Sequence, residues 1–207
     1  MTTTAQTVFV VDDSPAIRRS LSVLLRAEKL NVETYASGRA FLAAFDPGRV
    51  GCLVLDLQLR GEHGLDLLDE VRKLAPALPI IVLTAHGSVT SSVRALKAGA
   101  VDFFEKPAVP ATLLARIRDA LDLAQRRRKK EMDWQSVKQH LDRLTPRERQ
   151  VLGLLAAGKR SKEIAEALGL SIRTVEGYRS RVILKMHASS ATDVVSKVLR
   201  TTVVPRP

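Results

Sequence analysis

Five short strand-like runs recur along the first half of the chain, each followed by a stretch whose apolar residues return every three or four positions. The runs are VFVV (8–11), VETYAS (32–37), CLVLD (52–56), PIIVLTA (79–85) and VDFFEKP (101–107). After them come Ile17, Leu21, Leu24 and Leu25; RAFLAAF; Leu68, Val71 and Leu74; Val89, Val93 and Leu96; and Leu113, Leu114, Ile117 and Leu121. That spacing is helical. Strands that are apolar at consecutive positions bury both faces, which calls for a parallel sheet covered by helices on either side. The expected fold class of this half is therefore α/β, five βα repeats in sequence.

In such sheets the functional crevice lies at the carboxyl ends of the strands, where the strand order reverses. Reactive residue types collect there. The first strand ends at Asp12 and Asp13, the third at Asp56, the fourth at Thr84, and the fifth at Lys106 followed by Pro107. Three carboxylates brought together repel one another, and at neutral pH they want a hard divalent cation bound through oxygen. Mg²⁺ also bridges phosphate oxygens, so acids, a hydroxyl and a lysine amount to the parts needed for phosphoryl transfer. In that reading Asp56 is the nucleophile, Thr84 donates to a phosphoryl oxygen and Lys106 pairs with another. Ser14 and Pro15 are expected to open the first helix as N-cap and first helical residue.

Charge divides the chain in two. Residues 1–123 hold fourteen Lys/Arg and fourteen Asp/Glu; the remaining nineteen Lys/Arg face only eight acids, so the net charge of +11 lies wholly in residues 124–207. A neutral front and a basic back suggest two modules, the second facing a polyanion. No run of about 18 or more apolar residues exists to span a membrane, and the N-terminal stretch lacks the basic start of a secretory signal. A cytoplasmic location is expected. Cys52, the one cysteine, is expected to be a small core residue.

The basic half reads as helices. Thr145-Pro146-Arg147-Glu148 has the spacing of a capping box with proline at the first helical position. Gly158 stops that helix; SKEIAEALG (161–169) forms a second, LSIRTVEGYRSRVILKM (170–186) a third, and SSATDVVSKVLR (189–200) a fourth. Two short helices joined by a Gly-Leu-Ser turn form a helix-turn-helix. At about 100° per residue, Val175, Val182 and Met186 share the inner face of the third helix. Arg173, Glu176, Gly177 and Ser180 lie opposite, two of them small enough to let the backbone approach a major groove. Thr174 opens the same helix, and Arg179, Arg181 and Lys185 flank the outer face with reach to phosphates. Between the modules, QRRRKKEMDWQSVKQHLDRL (125–144) either continues the preceding helix or forms a bent, partly ordered connector. Trp134 is expected to anchor it.

VFVVDDSPAIRRSL, CLVLDLQLRGEHGLDLL and PIIVLTAHGSVTSSVRALKAGAVDFFEKP together resemble a response-regulator receiver domain, in particular its FixJ-like branch. LTPRERQVLGLLAAGKRSKEIAEALGLSIRTVEGYRSRVILKMHASS resembles a LuxR-type DNA-binding domain. The resemblance implies a flavodoxin-like receiver at 1–122, a helical linker at 123–142 and a four-helix DNA-binding domain at 143–207. It implies Asp12 and Asp13 as the acidic pair, Asp56 as phosphoacceptor, and Thr84, Lys106 and Phe103 as switch residues. The Gln58 carbonyl completes an Mg²⁺ shell, and the Lys106–Pro107 bond is cis. Glu176, Gly177 and Ser180 face bases. Leu59 and Arg60 stand where the family has Met-Pro, and Tyr178 stands where many relatives have histidine. Gln58 and His86 occupy positions that tune phosphate hydrolysis.

The function so implied is a phosphorylation-controlled transcriptional regulator. A sensor histidine kinase donates to Asp56, a homodimer forms, and double-stranded promoter DNA is bound, with RNA polymerase as a further partner. No catalysis is expected beyond slow hydrolysis of its own aspartyl phosphate. A regulator that binds DNA independently of phosphorylation is the alternative. An aspartate-nucleophile phosphatase needs Asp-x-Asp after the first strand, and Asp12-Asp13-Ser14 fails that spacing.

Overall fold

The computed structural model describes residues 6–85 and 89–202, with only the backbone of Glu62 and residues 200–202. The chain divides into two units, residues 1–128 and 129–207.

In the first unit β1 (Thr7–Val11), β2 (Asn31–Tyr35), β3 (Gly51–Leu55), a small hairpin of β4 (Gln58–Leu59) and β5 (Glu62–His63), β6 (Ile80–Thr84) and β7 (Asp102–Glu105) alternate with helices α1 (Pro15–Ala27), α2 (Gly38–Ala44), α3 (Gly64–Leu74), α4 (Val89–Lys97) and α5 (Pro110–Asp142). The five long strands form one parallel sheet in the order β2-β1-β3-β6-β7. β1, β3 and β6 are buried along their whole length, as their unbroken apolar sequences require. Alternate side chains feed two separate cores. Phe9, Val11, Leu53, Leu55 and Val82 pack under Phe41, Leu68 and Val71. Val8, Val10, Val54, Ile81 and Leu83 pack under Leu21, Leu25, Leu113 and Ile117. Cys52 belongs to the second core, and burial pushes its thiol up to about 12.

Glycine decides one close approach. A Cβ on Gly64 would stand 2.4 Å from Leu57 Cα and 2.7 Å from the Asp56 carbonyl, so only glycine lets α3 begin directly behind the loop that follows β3. Pro15 occupies the first turn of α1 as expected. The Ser14 hydroxyl makes no capping bond, however; the Ser14 N–H instead donates to the Asp12 carboxylate.

The division between the units falls within α5, which is helical throughout 110–142. Of the two connector conformations that its sequence allows, the helical one is found. The basic run 126–130 and the acids Glu131 and Asp133 spread over the helix surface without breaking it. Its early residues Leu113 to Ala124 are buried in the first unit. Val137 and Leu141 pack in the second, against Leu144, Leu152, Val182, Met186 and Val194. Trp134 is partly buried and its ring is covered by Lys138, one turn on.

The second unit contains α6 (Pro146–Ala156), α7 (Ser161–Leu168), α8 (Ile172–Lys185) and α9 (Ala191–Thr202). The Thr145–Glu148 capping box is complete in both directions. Gly169 ends α7 in the left-handed conformation at φ 63°. The Ser190 hydroxyl accepts from the Asp193 N–H, while the Asp193 carboxylate accepts from the N–H of Ser189, one residue earlier than a reciprocal box would place it. Val175, Val182 and Met186 are fully buried, as their helical phase predicts.

Candidate phosphoryl site and nucleic-acid interface

β1 has β2 on one side and β3 on the other, so the connections leaving β1 and β3 diverge at their carboxyl ends. That divergence opens a crevice. Asp12 and Asp13 follow β1, Asp56 follows β3, and the register that pairs Leu55 with Val82 and Thr84 with Glu105 brings the ends of β6 and β7 alongside. One oxygen from each of Asp12, Asp13 and Asp56 falls within 4.8 Å of the others.

The Lys106 ammonium bridges this cluster, donating to Asp12 Oδ2 and Asp56 Oδ2 at 2.6 Å each. Asp12 and Asp56 are both nearly inaccessible, at 2% and 6% exposed. Buried carboxylates left alone would cost several kcal/mol apiece, and one lysine offsets part of that for two. Burial draws the Lys106 ammonium down, but the hydrogen bonds to Asp12 and Asp56 and their charges leave it above the usual lysine value. The second oxygens are held by backbone: Ser14 N–H donates to Asp12 Oδ1 and Gln58 N–H to Asp56 Oδ1, both at 2.9 Å. Arg18, one turn into α1, clamps the carbonyls of Asp12 and Asp13. No pattern in the sequence singled out Arg18; its role comes from the angle at which α1 leaves β1.

Thr84 is completely buried, and among the described residues its hydroxyl has no partner. A buried hydroxyl without a bond costs about 1–3 kcal/mol. Three convergent carboxylates fit a hard divalent cation bound through oxygen, and the partnerless hydroxyl fits an incoming acceptor oxygen. The three carboxylates and Lys106 open on a groove of about 750 Å³, with Gln58 and Arg60 at its acidic end and Ile17, Leu21, Leu24, Pro110 and Leu113 along its apolar wall. Gln58 opens the β4–β5 hairpin. Arg60, in the place of the family's proline, lies 3.2 Å from Asp13 and is almost fully exposed, so the pair is weak. Lys106–Pro107 is cis. Phe103 lies apart, on β7 opposite Val82 and partly buried against the first core. His86 lies outside the described residues.

In the second unit α8 presents Arg173, Thr174, Glu176, Ser180 and Arg181 to solvent, with Gly177, Arg179 and Lys185 partly covered. Ser171 caps the helix, accepting from the Thr174 N–H. Two of the expected phosphate-reaching cations are already paired with an acid of the same unit. Lys185 donates to Glu148 Oε2 at 2.7 Å and Arg181 lies 3.5 Å from Glu148 Oε1, with its guanidinium over the Tyr178 ring. Glu148, 2% exposed, is thus both the cap of α6 and the counter-ion of α8. Burial pushes its carboxyl up, but the Lys185 and Thr145 hydrogen bonds outweigh this and leave it below the usual glutamate value. The capping spacing is visible in the sequence; the bond to a lysine 37 residues away is not.

Comparison with known proteins agrees with this arrangement. Residues 8–118 match the response regulator receiver domain, and residues 142–198 the bacterial regulatory proteins of the luxR family. The transcriptional regulatory protein FixJ of Azorhizobium caulinodans is 40% identical over 96% of this chain and 94% of its own length. The response regulator protein TodT of Pseudomonas putida is 36% identical over 94% of this chain and 86% of its own. Among solved structures, the response regulator StyR aligns with a TM-score of 0.84 at 37% identity, covering 95% of this chain and 99% of that one. Full-length FixJ from B. japonicum aligns at 0.57 and 36%, covering 98% and 100%. A receiver unit with an acidic rim, followed by a helix-turn-helix unit, places this chain in the FixJ-like family of two-component response regulators, transcription factors with a LuxR-type DNA-binding domain.

Proposed function

We propose that Asp56 accepts a phosphoryl group from a sensor histidine kinase. A carboxylate oxygen of Asp56 forms the new P–O bond as the N–P bond of the donor phosphohistidine breaks, and the departing imidazole takes a proton from solvent. Mg²⁺, held by Asp12, Asp13, Asp56 and the Gln58 carbonyl, would neutralise charge on the transferring phosphoryl oxygens. Lys106 then exchanges its bond to Asp56 for one to a phosphoryl oxygen, and Thr84 donates its unused hydrogen to another. The carrying observation is this combination: one lysine shared between two buried carboxylates, and at the end of the next strand a buried hydroxyl with no partner among the described residues. Slow hydrolysis of the acyl phosphate by water returns the resting state.

The Thr84 and Lys106 movements shift Phe103 on β7 and bias the unit between two states. Exposed Val89, Val93, Leu96 and Val101, on and after α4, supply an apolar face for homodimerisation. Residues 123–142 connect the receiver, 1–122, to the DNA-binding domain, 143–207. Two such domains then meet two half-sites of promoter DNA at a spacing set by the dimer. Arg173 and Thr174 serve the phosphates directly, Arg179, Arg181 and Lys185 add positive charge toward them from their pairings with Ser161 and Glu148, and Glu176, Gly177 and Ser180 serve the base edges. RNA polymerase is the proposed downstream partner, and the cytoplasm the proposed location.

Treating the full chain with acetyl phosphate and Mg²⁺ tests this reading. The wild type should gain an acid-labile, hydroxylamine-sensitive phosphate and sediment as a dimer, and Asp56→Asn should do neither. Label retained on Asp56→Asn would move the acceptor elsewhere. Equal promoter binding with and without phosphate would favour the phosphorylation-independent regulator.

A further inference from the structure

Helix α8 carries one acid, Glu176. A carboxylate facing DNA is repelled by phosphates unless something neutralises and aims it. Here the neighbouring helix does both. Ser161, the first residue of α7, donates its hydroxyl hydrogen to Glu176 Oε1, and the Arg179 guanidinium donates to the Ser161 oxygen from the other side. Arg179 also lies 3.7 Å from Glu176 Oε1. The hydroxyl thus donates to the acid and accepts from the base. Arg179 is 26% exposed and Glu176 55%, so the cation is tucked in while the acid stands outward. Ser180 spends its own hydroxyl on the Glu176 backbone carbonyl, which leaves the carboxylate to Ser161 and Arg179.

We infer that Ser161 is a specificity-determining residue: it fixes the Glu176 carboxylate so that Oε2 accepts a hydrogen bond from a cytosine amino group in the major groove. On its major-groove edge cytosine offers the N4 donor and no acceptor; adenine sets its N7 acceptor beside N6 there, where it repels a carboxylate. Ser161 touches no base itself. It acts through Glu176, and the geometry costs little because the bond lies between two packed helices. The inference rests on α8 being the reading helix, as proposed above.

Selection of binding sites from a randomised duplex library, with the full chain and acetyl phosphate, tests it. The wild type should enrich C at one position in each half-site. Ser161→Ala should cut the preference for C over the other bases there by about fivefold to tenfold, leaving other positions and affinity for non-cognate DNA unchanged. Ser161→Thr, which keeps the hydroxyl, should retain the preference. Glu176→Ala should abolish it, and adding Ser161→Ala to that variant should change nothing more. A uniform loss of affinity for all sequences in Ser161→Ala would overturn the inference, as would effects of Ser161→Ala and Glu176→Ala that simply add. A selected site with no C that depends on Glu176 would overturn it while leaving α8 as the reader. A wild type that selects no sequence would defeat both.

Discussion

Replacing Lys106 by alanine isolates the balance of charge at the carboxylate cluster of the receiver. Lys106 donates to two carboxylates at 2.6 Å, both at most 6% exposed, and is the one ammonium that bonds them among the described residues. Removing one partner of a buried ion pair costs about 3–5 kcal/mol, because the remaining charge stays uncompensated. The retained backbone bonds from Ser14 and Gln58 argue for the lower end, about 3 kcal/mol, or roughly a hundredfold in the unfolding equilibrium. A divalent cation in the same cluster should replace the missing charge. Ligand at a hundred times its Kd stabilises by about 2.7 kcal/mol, so Mg²⁺ should return most of the loss and should stabilise the variant more than the wild type. With two units in one chain a single unfolding curve is ambiguous. Amide exchange measured by mass spectrometry on peptides from β1 and β3, with Mg²⁺ or with chelator, reads the receiver alone. A loss below about 1 kcal/mol, or equal Mg²⁺ stabilisation of both proteins, would refute the idea that Lys106 and the metal serve the same carboxylates.

Three further outcomes follow from other sites. Thr84→Val removes a buried hydroxyl that has no partner among the described residues, so the receiver should gain about 1 kcal/mol by the same exchange measurement while losing dimerisation driven by acetyl phosphate; a destabilised variant would mean that the hydroxyl is bonded. Glu148→Gln keeps an oxygen for the Thr145 cap but loses the charge that holds Lys185 and Arg181. The second unit should lose about 1.5–3 kcal/mol, read as an earlier urea transition in the fluorescence of Trp134, and an unmoved midpoint would show the pair to be inert. The Glu148 carboxyl is lower in the folded chain than in the unfolded one, so the unfolded state binds more protons. Its stabilisation is present above the unfolded value and disappears as pH falls through the folded one; the wild type should show this acid-limb loss and Glu148→Gln should not.

What the sequence settles is local. Unbroken apolar runs set strands buried on both faces, three-to-four spacing sets the helices, and Thr145 with Glu148 or Gly169 sets where helices start and stop. Because parallel strands expose their carboxyl ends together, even the gathering of Asp12, Asp13, Asp56 and Lys106 at one edge of the sheet is legible. What the chain alone leaves open depends on contacts between distant residues. The strand order that puts β1 between β2 and β3 brings Lys106 to Asp12 across 94 positions and to Asp56 across 50. The linker sequence allows a helix or a bent connector, and packing at both ends, through Leu113–Ala124 and through Val137 and Leu141, goes with the helix. On α8 the helical phase picks out the outer face, but it does not distinguish cations with free reach from those already engaged. Packing against α6 and α7 makes that division, turning Lys185 and Arg181 toward Glu148 and Arg179 toward Ser161. Periodicity reports which side of an element faces inward; only the approach of a second element decides which charges meet, since the desolvation and pairing that fix them arise at that contact.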